Sequence, residues 1–593
     1  MRVFKRRLAG FLLVIGRSYL LFVPVAFTGV VHAENSGDFD GPAELPRVYI
    51  RSSLSGTPSP RKVRTVTGGS NLQQAINTAA CGDTLLLEAG ATFTGKLIFP
   101  AKNCDDSHWI TLRTSAADSA LPPEGQRLTP CYAGVSSLPG RPDLHCASAE
   151  NVLAKLEFSA KGGSGPLVFT SGANHYRLIG LEVTRSAPGA DIYSLISLEP
   201  SAKVDHVVFD RMWIHGLAQD ETGRGIQLGG SSYIAIVDSF FTDFHCIAIS
   251  GSCTDSQAIA GGVGNIPMGP YKIVNNFLEA SGEDVIFGGG PATLSPADIE
   301  IRRNHMFRPM NWKPDSPDFV GARDGHAFIV KNDFELKNAQ RVLLEGNILE
   351  NTWGGFSQVG FSVVLSPKNQ NNACPACRVT DVTMRYNRII HMAGGFQIAN
   401  VRSDAGGSSI DGGRYSIHDN VLEDIEAAEL KGNGVFAQII GQTPALHDVT
   451  IDHNTAFAPN VLLSVGASAD GPKITNFVFS NNLVAAGTRQ VGSIGGGPAN
   501  CAFVAGKLSP SGVFANCFPG SKITHNAVIG GSGWPKENLT PKNLEAVGLA
   551  GFQNGKITDY HLRPSSPLKH SASDGKDLGA DLEMIESAIA GVR

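Results

Sequence analysis

Four segments of the chain carry titratable residues in one repeated frame: GRGIQLGG (223–230), FHCIAISG (244–251), GEDVIFGG (282–289) and GHAFIVKN (325–332). Aligned on their apolar pairs Ile226/Leu228, Ile247/Ile249, Val285/Phe287 and Phe328/Val330, they place Arg224, His245, Glu283 and His326 in one column. Asp284 and Lys331 fall on the opposite, outward parity. Such a set suits proton abstraction next to a carboxylate, as in β-elimination from a uronate. That reaction needs a base, a cation to neutralise the carboxylate and an acid for the leaving oxygen. Lys331 or a histidine is the expected base if cationic neighbours lower its pKa, and Arg224 can grip a carboxylate bidentately. Hydrolysis would need two carboxylates at a set spacing. Glu283 and Asp284 are sequence neighbours that diverge on a strand, which disfavours that pair. A salt-bridged corner without chemistry is the third reading. Beside these segments the long loop 308–324 carries Arg308, Trp312 and Arg323. Long loops are often functional, and the tryptophan offers a face for a sugar or simply packs. The following segment 331–341 alternates charges through Asp333, Glu335, Lys337 and Arg341 and reads as a solvated turn.

A column of side chains forms only if something stacks the segments, and the sequence supplies it. An apolar-x-apolar-x-x-Asn frame recurs at Asn276, Asn304, Asn347, Asn387, Asn420, Asn454, Asn482 and Asn526. Three earlier copies carry Leu181, Met212 and Ser239 at the key place. Repeats of this length mark stacked supersecondary units, and apolar alternation running into a turn residue marks a strand entering a tight bend. No single unit can bury its own apolar face. Stacked units lay like strands in parallel at about 4.8 Å. Asparagine tolerates a left-handed bend, and its amide can bond the same amide one coil away. The expected fold is all-β: a parallel β-helix of about eleven coils with an asparagine ladder.

Composition agrees. Of 593 residues, 68 are glycine and only 17% are charged, against about 25% in an average domain. That balance fits strands joined by tight turns and excludes a helical enzyme. Residues 1–33 read as a signal peptide: Arg2, Lys5, Arg6 and Arg7, then an apolar stretch broken by Arg17, then Val31-His32-Ala33. Ala9 and Gly10 stand where the twin-arginine route wants larger apolar residues, which points to ordinary secretion. Cleavage near Ala33 removes five positive charges and no negative ones, taking the net charge from −5 to −10. So acidic a chain has no global attraction for nucleic acid or for membranes. Secretion, periplasmic or extracellular, also suits the ten cysteines. They fall into five neighbouring pairs: Cys81/Cys104, Cys131/Cys146, Cys246/Cys253, Cys374/Cys377 and Cys501/Cys517. Spacing alone does not fix connectivity, and sequential pairing is the expectation. Cys374-Pro375-Ala376-Cys377 also has a redox spacing, but it lies in a loop and reads as a clip. No His/Cys cluster has zinc spacing, no motif supports calcium, and no cofactor or metal is expected.

The expected organisation is a mobile lead-in over 34–62 and a β-helix domain over 63–583. That domain holds a capping amphipathic helix over 71–80, a loop insertion over 115–150 clipped by Cys131 and Cys146, and coils over 166–531. A C-terminal helix ending at 584–593 is expected over the far end, since an open stack exposes strand edges.

The ladder frame, the opening LQQAI–GDTLLLEAGATFTG and the closing RPSSPLKHSASDGKDLGA resemble secreted bacterial right-handed parallel β-helix proteins of the pectin-lyase-like superfamily over about residues 65–583. The resemblance implies an outer concave face on the strand after the long loop, where extended sugar chains lie. It implies a polysaccharide partner and an activity among lyases, hydrolases, epimerases and non-catalytic surface proteins, because fold alone does not choose. The polygalacturonase-like signature set is missing: Asp105-Asp106 lies outside the coils, and Asp324-Gly325-His326 is no Gly-His-Gly. The pectate-lyase-like string has only an echo at Thr450-Ile451-Asp452-His453, inside the ladder frame, with no Arg-x-Pro-x-x-Arg after it. The expectation is therefore a secreted protein acting on an extended, acidic polysaccharide, by β-elimination first. A non-catalytic binding protein and a glycoside hydrolase stand as alternatives.

Overall fold

The computed structural model describes residues 37–593 except 190, 200, 249–252, 356–357 and 504–508. The signal segment 1–33 lies outside the described residues. Three parallel sheets run the length of the stack. Sheet I has fourteen strands, from Lys62–Val66 to Lys522–Thr524; sheet II has thirteen, from Thr92–Thr94 to Ala527–Ile529; sheet III has twelve, from Leu97–Phe99 to Arg489–Ser493. The chain visits the sheets in rotation, so each coil pairs with the coils before and after it, as in Ile234↔Tyr271↔Ile299↔Val342↔Val382↔Tyr415. This is a parallel β-helix. Sheet I begins three strands before the first recognisable frame, at Lys62–Val66, Asp83–Leu87 and Ile110–Thr114. The inward side chains form one continuous apolar core from Val66 to Trp534.

The asparagine ladder occupies the corner between sheets I and II. Asn276 donates its backbone N–H and its Nδ2 to Asn304 Oδ1 at 2.9 and 3.0 Å, and its Nδ2 also reaches Ile236 O at 2.9 Å. The same set repeats through Asn347, Asn387, Asn420, Asn454, Asn482 and Asn526. Ser239 extends the ladder backward, giving its N–H to Asn276 and taking one from Met212. Asn538 closes it forward by accepting from Asn526 at 2.8 and 3.1 Å. All eight asparagines of the frame are fully buried. The backbone bend lies one residue earlier than expected. The left-handed residues are Asn275, Arg303, Gly346, Tyr386, Asp419, His453, Asn481 and His525, with φ between 48° and 63°, and the ladder asparagines are not among them. The asparagine is selected for its amide, and the preceding residue makes the turn.

Helix Leu72–Thr78 covers the first end of the core with Leu72 and Ile76, and Asn71 caps it by accepting from Gln74 N. At the far end the core is closed by helix Pro510–Cys517 and its surroundings, through Val513, Phe514, Phe518 and Trp534. The C-terminal helix Leu582–Ile589 instead lies on the flank of sheet II, where Ile585, Ile589 and Val592 pack on Ile348 and Val421. Arg303 and Arg127 fix its end by donating to Ala588 O, Ala590 O and Val592 O. The insertion 115–150 folds over another part of that flank through Leu121 and Leu128, against Ile179, Trp213, Phe240 and Phe277.

The lead-in described from residue 37 is an ordered strap along sheet I, not a mobile segment. Asp40 meets Arg385 at 2.7 Å and His418 at 3.0 Å. Further along, Glu44 N and Arg47 N donate to Asp381 and Asp298, and Ile50 O and Ser52 O accept from Lys272 and Arg177. An extended Pro/Ser-rich segment has peptide groups to spare, and the charged outer face of sheet I supplies their partners. Its two carboxylate neighbours, Asp40 and Asp419, hold His418 up at about 9 against the opposing effect of burial.

All five sequential cysteine pairs are disulfides: Cys81–Cys104, Cys131–Cys146, Cys246–Cys253, Cys374–Cys377 and Cys501–Cys517. The last of these ties Cys501, beyond the final strand of sheet III, to the end of the closing helix at Cys517. Among the described residues no free cysteine remains. No helix there is long and apolar enough to cross a membrane.

The ladder and the disulfides can each be tested. Asn387→Leu strands Asn347 N and Nδ2, Leu344 O and part of Asn420 Oδ1, each buried group costing roughly 1–3 kcal/mol. Thermal melting should fall steeply for Asn387→Leu and far less for Asn538→Ala at the half-buried end of the ladder; equal, small shifts would sink the ladder as a stabilising element. Non-reducing peptide mapping of the mature protein should recover five intrachain disulfides in sequential order. A reactive thiol at Cys374 or Cys377 would instead restore a redox role.

Candidate functional site

A groove of about 1060 Å³ runs along the outer face of sheet III. Its walls include Tyr193, Arg224, Asp255, Gln257, Lys331, Glu335, Lys337, Lys368, Gln397 and Asp404. It extends from the coil of Ser194–Leu198 to that of Val435–Gly441, eight strands of the sheet. At the strand spacing this is about 34 Å. Strand pairing, rather than the aligned segments, fixes which residues share it. Arg224 pairs with Gln257, and Gln257 with Glu283; Val285 pairs with Phe334 and Phe287 with Leu336.

Two of the four aligned segments are therefore out of register. The strand after Cys246–Cys253 is Gln257–Gly261, not the 244–251 segment, and the strand after the long loop is Phe334–Leu336, not 325–332. Loop insertions of different length separate each turn from its strand. Phe328 and Val330 pack with Trp312 in a side cluster, outside the coil core. The supposed solvated turn 331–341 holds a core strand. Its Phe334-x-Leu336 alternation was the signal available for that, and its Glu335 and Lys337 face the groove.

Glu283 and Lys331 do come together, Glu283 fully buried beneath the groove wall, and Arg224 lines the same groove two strands away from Glu283. Lys331 Nζ lies 2.8 Å from Asp255 Oδ1 and 3.5 Å from Glu283 Oε1. Gln257 Nε2 donates to Glu283 Oε2 at 2.8 Å. The guanidinium carbon of Arg224 sits 4.5 Å from the centre of the Tyr193 ring, a cation–π contact. Lys337 Nζ is 3.2 Å from Glu335, and Lys368 Nζ is 3.5 Å from Asp404. Burial pushes the Glu283 carboxyl above its ordinary value, only partly opposed by the Lys331 ammonium. Burial works to lower Lys331, but Glu283, Asp255 and Glu335 outweigh it and hold the ammonium above its ordinary range. Lys331 is thus a standing cation, and the role of general base that its type suggested does not suit it.

The other expected residues lie elsewhere. His245 is fully buried, stacked on Phe328 at 3.8 Å and edge-on to Trp312; burial pushes it down to about 4. Asp284 is buried beneath the turn, accepts from Ala280 N at 2.7 Å, and is driven well above its ordinary value by burial. His326 points to solvent, paired with Asp324. Trp312 is 1% exposed and presents no face to a ligand. Arg308 is fully buried, bonding Asp333 and the carbonyls of Ala280, Gly282, Asn332 and Asn351. Arg323 forms a bidentate pair with Asp220 at 2.6 and 2.7 Å. None of these six residues lines the groove. Sequence reading missed Asp255, Gln257 and Tyr193, which no periodicity singles out.

Among the described residues, two groups bring three metal-ligating atoms within 4.8 Å of one another, and neither is in the groove. One is Glu221 with Cys246 and Cys253, whose sulfurs are already joined. The other is Asp106, His175 and His206, beside sheet I.

No family model matches the chain, and no curated protein matches it. Among solved structures, similarity is found to an alginate lyase from Paenibacillus sp. str. FPU-7, with 14% identity and a TM-score of 0.28 over 74% of this chain and 96% of that one. A mannuronic acid specific polysaccharide family 6 lyase from human gut microbiota has 12% identity and a TM-score of 0.42, over 79% and 86%. A GH136 lacto-N-biosidase from Eubacterium ramulus has 10% identity and a TM-score of 0.34, over 79% and 68%.

Proposed function

We propose that this is a secreted protein that binds an extended acidic polysaccharide along the sheet III groove and cleaves it by β-elimination. The observation that carries the reading is the Lys331 ammonium, held charged between Asp255 and Glu283 in a groove that also presents Arg224, Lys337 and Lys368. The groove sets its lysines against carboxylates, Lys331 on Asp255, Lys337 on Glu335 and Lys368 on Asp404, and an incoming polyanion competes for these cations. The groove is open and long, as a polymer requires, and the five disulfides suit an oxidising compartment.

The proposed step divides its labour among these groups. A uronate carboxylate takes hydrogen bonds from Lys331 and Arg224, which neutralise it and acidify the adjacent C–H. Its arrival competes for Lys331 and releases Asp255, which accepts that proton. The C–H electrons form the carbon–carbon double bond as the glycosidic C–O bond breaks. Glu283, whose carboxyl burial raises above its ordinary value, supplies the proton for the departing oxygen. A second reading has a specific support: Asp255 and Glu283 both reach one ammonium, so they form a carboxylate pair of the kind hydrolysis uses.

Incubation of the mature protein with pectate, alginate and glycosaminoglycans tests this. Elimination produces unsaturated ends absorbing in the ultraviolet. Reducing ends without that absorbance would mean hydrolysis, and binding without either product would mean a non-catalytic protein. On the polymer that is turned over, Asp255→Asn should lower kcat by at least about 100-fold, in the range of a general base, with melting unchanged. Arg224→Ala should raise KM more than it lowers kcat. Because the acid is a carboxyl held above its ordinary value, turnover should decline as pH rises through that raised value. A profile that keeps climbing would remove Glu283 from the proton-donor role.

A further inference from the structure

Three side chains outside the groove converge on one point, Asp106, His175 and His206. His175 and His206 stand on neighbouring strands of sheet I, in the paired segments Asn174–Ile179 and Val204–Asp210. Their rings stack at 4.5 Å with planes 4° apart. Trp109 packs edge-on to both, and Tyr233 stacks on the far side of His206 at 4.5 Å. Both Nε2 atoms face one oxygen: Asp106 Oδ1 lies 3.2 Å from His175 and 3.7 Å from His206. Asp106 sits on the short loop that the Cys81–Cys104 disulfide anchors.

The proton positions follow from the outer partners. His206 Nδ1 is 2.7 Å from the Asp205 carboxylate, which can only accept, so Nδ1 carries the hydrogen. His175 Nδ1 is 3.0 Å from Asn174 Oδ1. The orientation of that amide is set by its Nδ2, which donates to Lys102 O and Gly172 O at 2.6 and 2.9 Å. His175 Nδ1 is therefore also a donor. In the neutral rings both Nε2 atoms then present lone pairs toward a carboxylate oxygen, and three acceptors face one another. A proton on His175 joins that ring to the Asp106 carboxylate but leaves the His206 Nε2 lone pair unused. A cation satisfies all three. A carboxylate or amide fixing the far nitrogen of each histidine is the arrangement that orients imidazole ligands of metals. The contrast with other His–Asp pairs is direct: His447 and His418 each use both nitrogens on carboxylates, with no second imidazole at hand.

We propose that Asp106, His175 and His206 form a binding site for a borderline divalent transition-metal ion, with zinc as the test case. Two imidazole nitrogens and one carboxylate oxygen suit zinc, copper or nickel, whereas calcium takes oxygen ligands. Bond lengths of about 2.0–2.2 Å require the stacked rings to tilt toward each other about χ2, a soft torsion. Asp106 is 84% exposed, so a further position stays open to water. The ion would tie the disulfide-anchored loop to two coils. The three ligands come from residues 106, 175 and 206, which is why no zinc spacing is visible along the chain.

Calorimetric titration of the metal-free mature protein with zinc sulfate tests the site, and cobalt absorption reports its ligands. The expected result is one equivalent bound, with a raised melting temperature. Binding should be abolished in His206→Ala and weakened at least about tenfold in Asp106→Asn, an exposed position where folding is not at issue. Asp205→Asn keeps all three ligands and should weaken binding about tenfold, as loss of an orienting partner does. His447→Ala should bind as the unsubstituted protein does. Absence of zinc uptake, or uptake unchanged in Asp106→Asn and His206→Ala, would overturn the proposal.

Discussion

The structure depends on one constraint: a buried corner must satisfy its backbone groups in every coil. Where sheet I turns into sheet II the chain bends too sharply for its own peptides to pair, and water is excluded by the core on one side and the next coil on the other. The side-chain amide of asparagine supplies an acceptor for two donors of the preceding coil, and its Nδ2 donates to a backbone carbonyl of that coil and to the next asparagine's Oδ1. A hydrocarbon there would leave several buried polar groups unpaired. Because each asparagine is held by the next, the register of one coil sets that of its neighbours. That register is what turns residues far apart in sequence into columns.

Those columns determine what each outer face can do. On sheet III the outward positions across eight coils form an open groove with cations and carboxylates in alternation. On sheet I the outward left-handed residues form a second column, aromatic at His175, His206 and Tyr233 and ionic further on, through Asp298–Arg341 and Asp381–Arg414. The strap from residue 37 bonds to the ionic stretch, and the two histidines sit at its other end. The flank of sheet II is covered by the insertion 115–150 and the C-terminal helix. Sheet III is the face that keeps a long open surface, and the groove lies there.

The electrostatics of the groove follow from depth rather than from residue type. Lys331 and Glu283 are both sheltered, with opposite outcomes: burial displaces the Glu283 carboxyl upward despite the lysine, whereas Glu283, Asp255 and Glu335 keep the lysine a cation against the pull of burial. His245 shows the other outcome. It is buried with no ionic partner in contact, beside Trp312 and Phe328, and burial holds it neutral.

The sequence by itself determined the fold class and the ladder, and its cysteine spacing suggested the sequential pairing that the structure then supplied. Each rests on a pattern local to one coil: an apolar alternation beside an asparagine, or two cysteines a short loop apart, as at Cys501 and Cys517. It also singled out Arg224 and Glu283, which lie in strands it aligned correctly, and Lys331, which reaches the Glu283 carboxylate although its own segment was misaligned. Tertiary structure alone decided the rest. Loops of unequal length between turn and strand shifted the alignment at 244–251 and 325–332, so Gln257, Asp255, Glu335 and Lys337 entered the groove while His245, His326 and Trp312 left it. The strap on sheet I and the meeting of Asp106 with His175 and His206 were equally invisible, because their partners are distant in sequence and their contacts follow only from the coil register. Local chemistry writes the repeat; the stacking of coils decides which side chains meet.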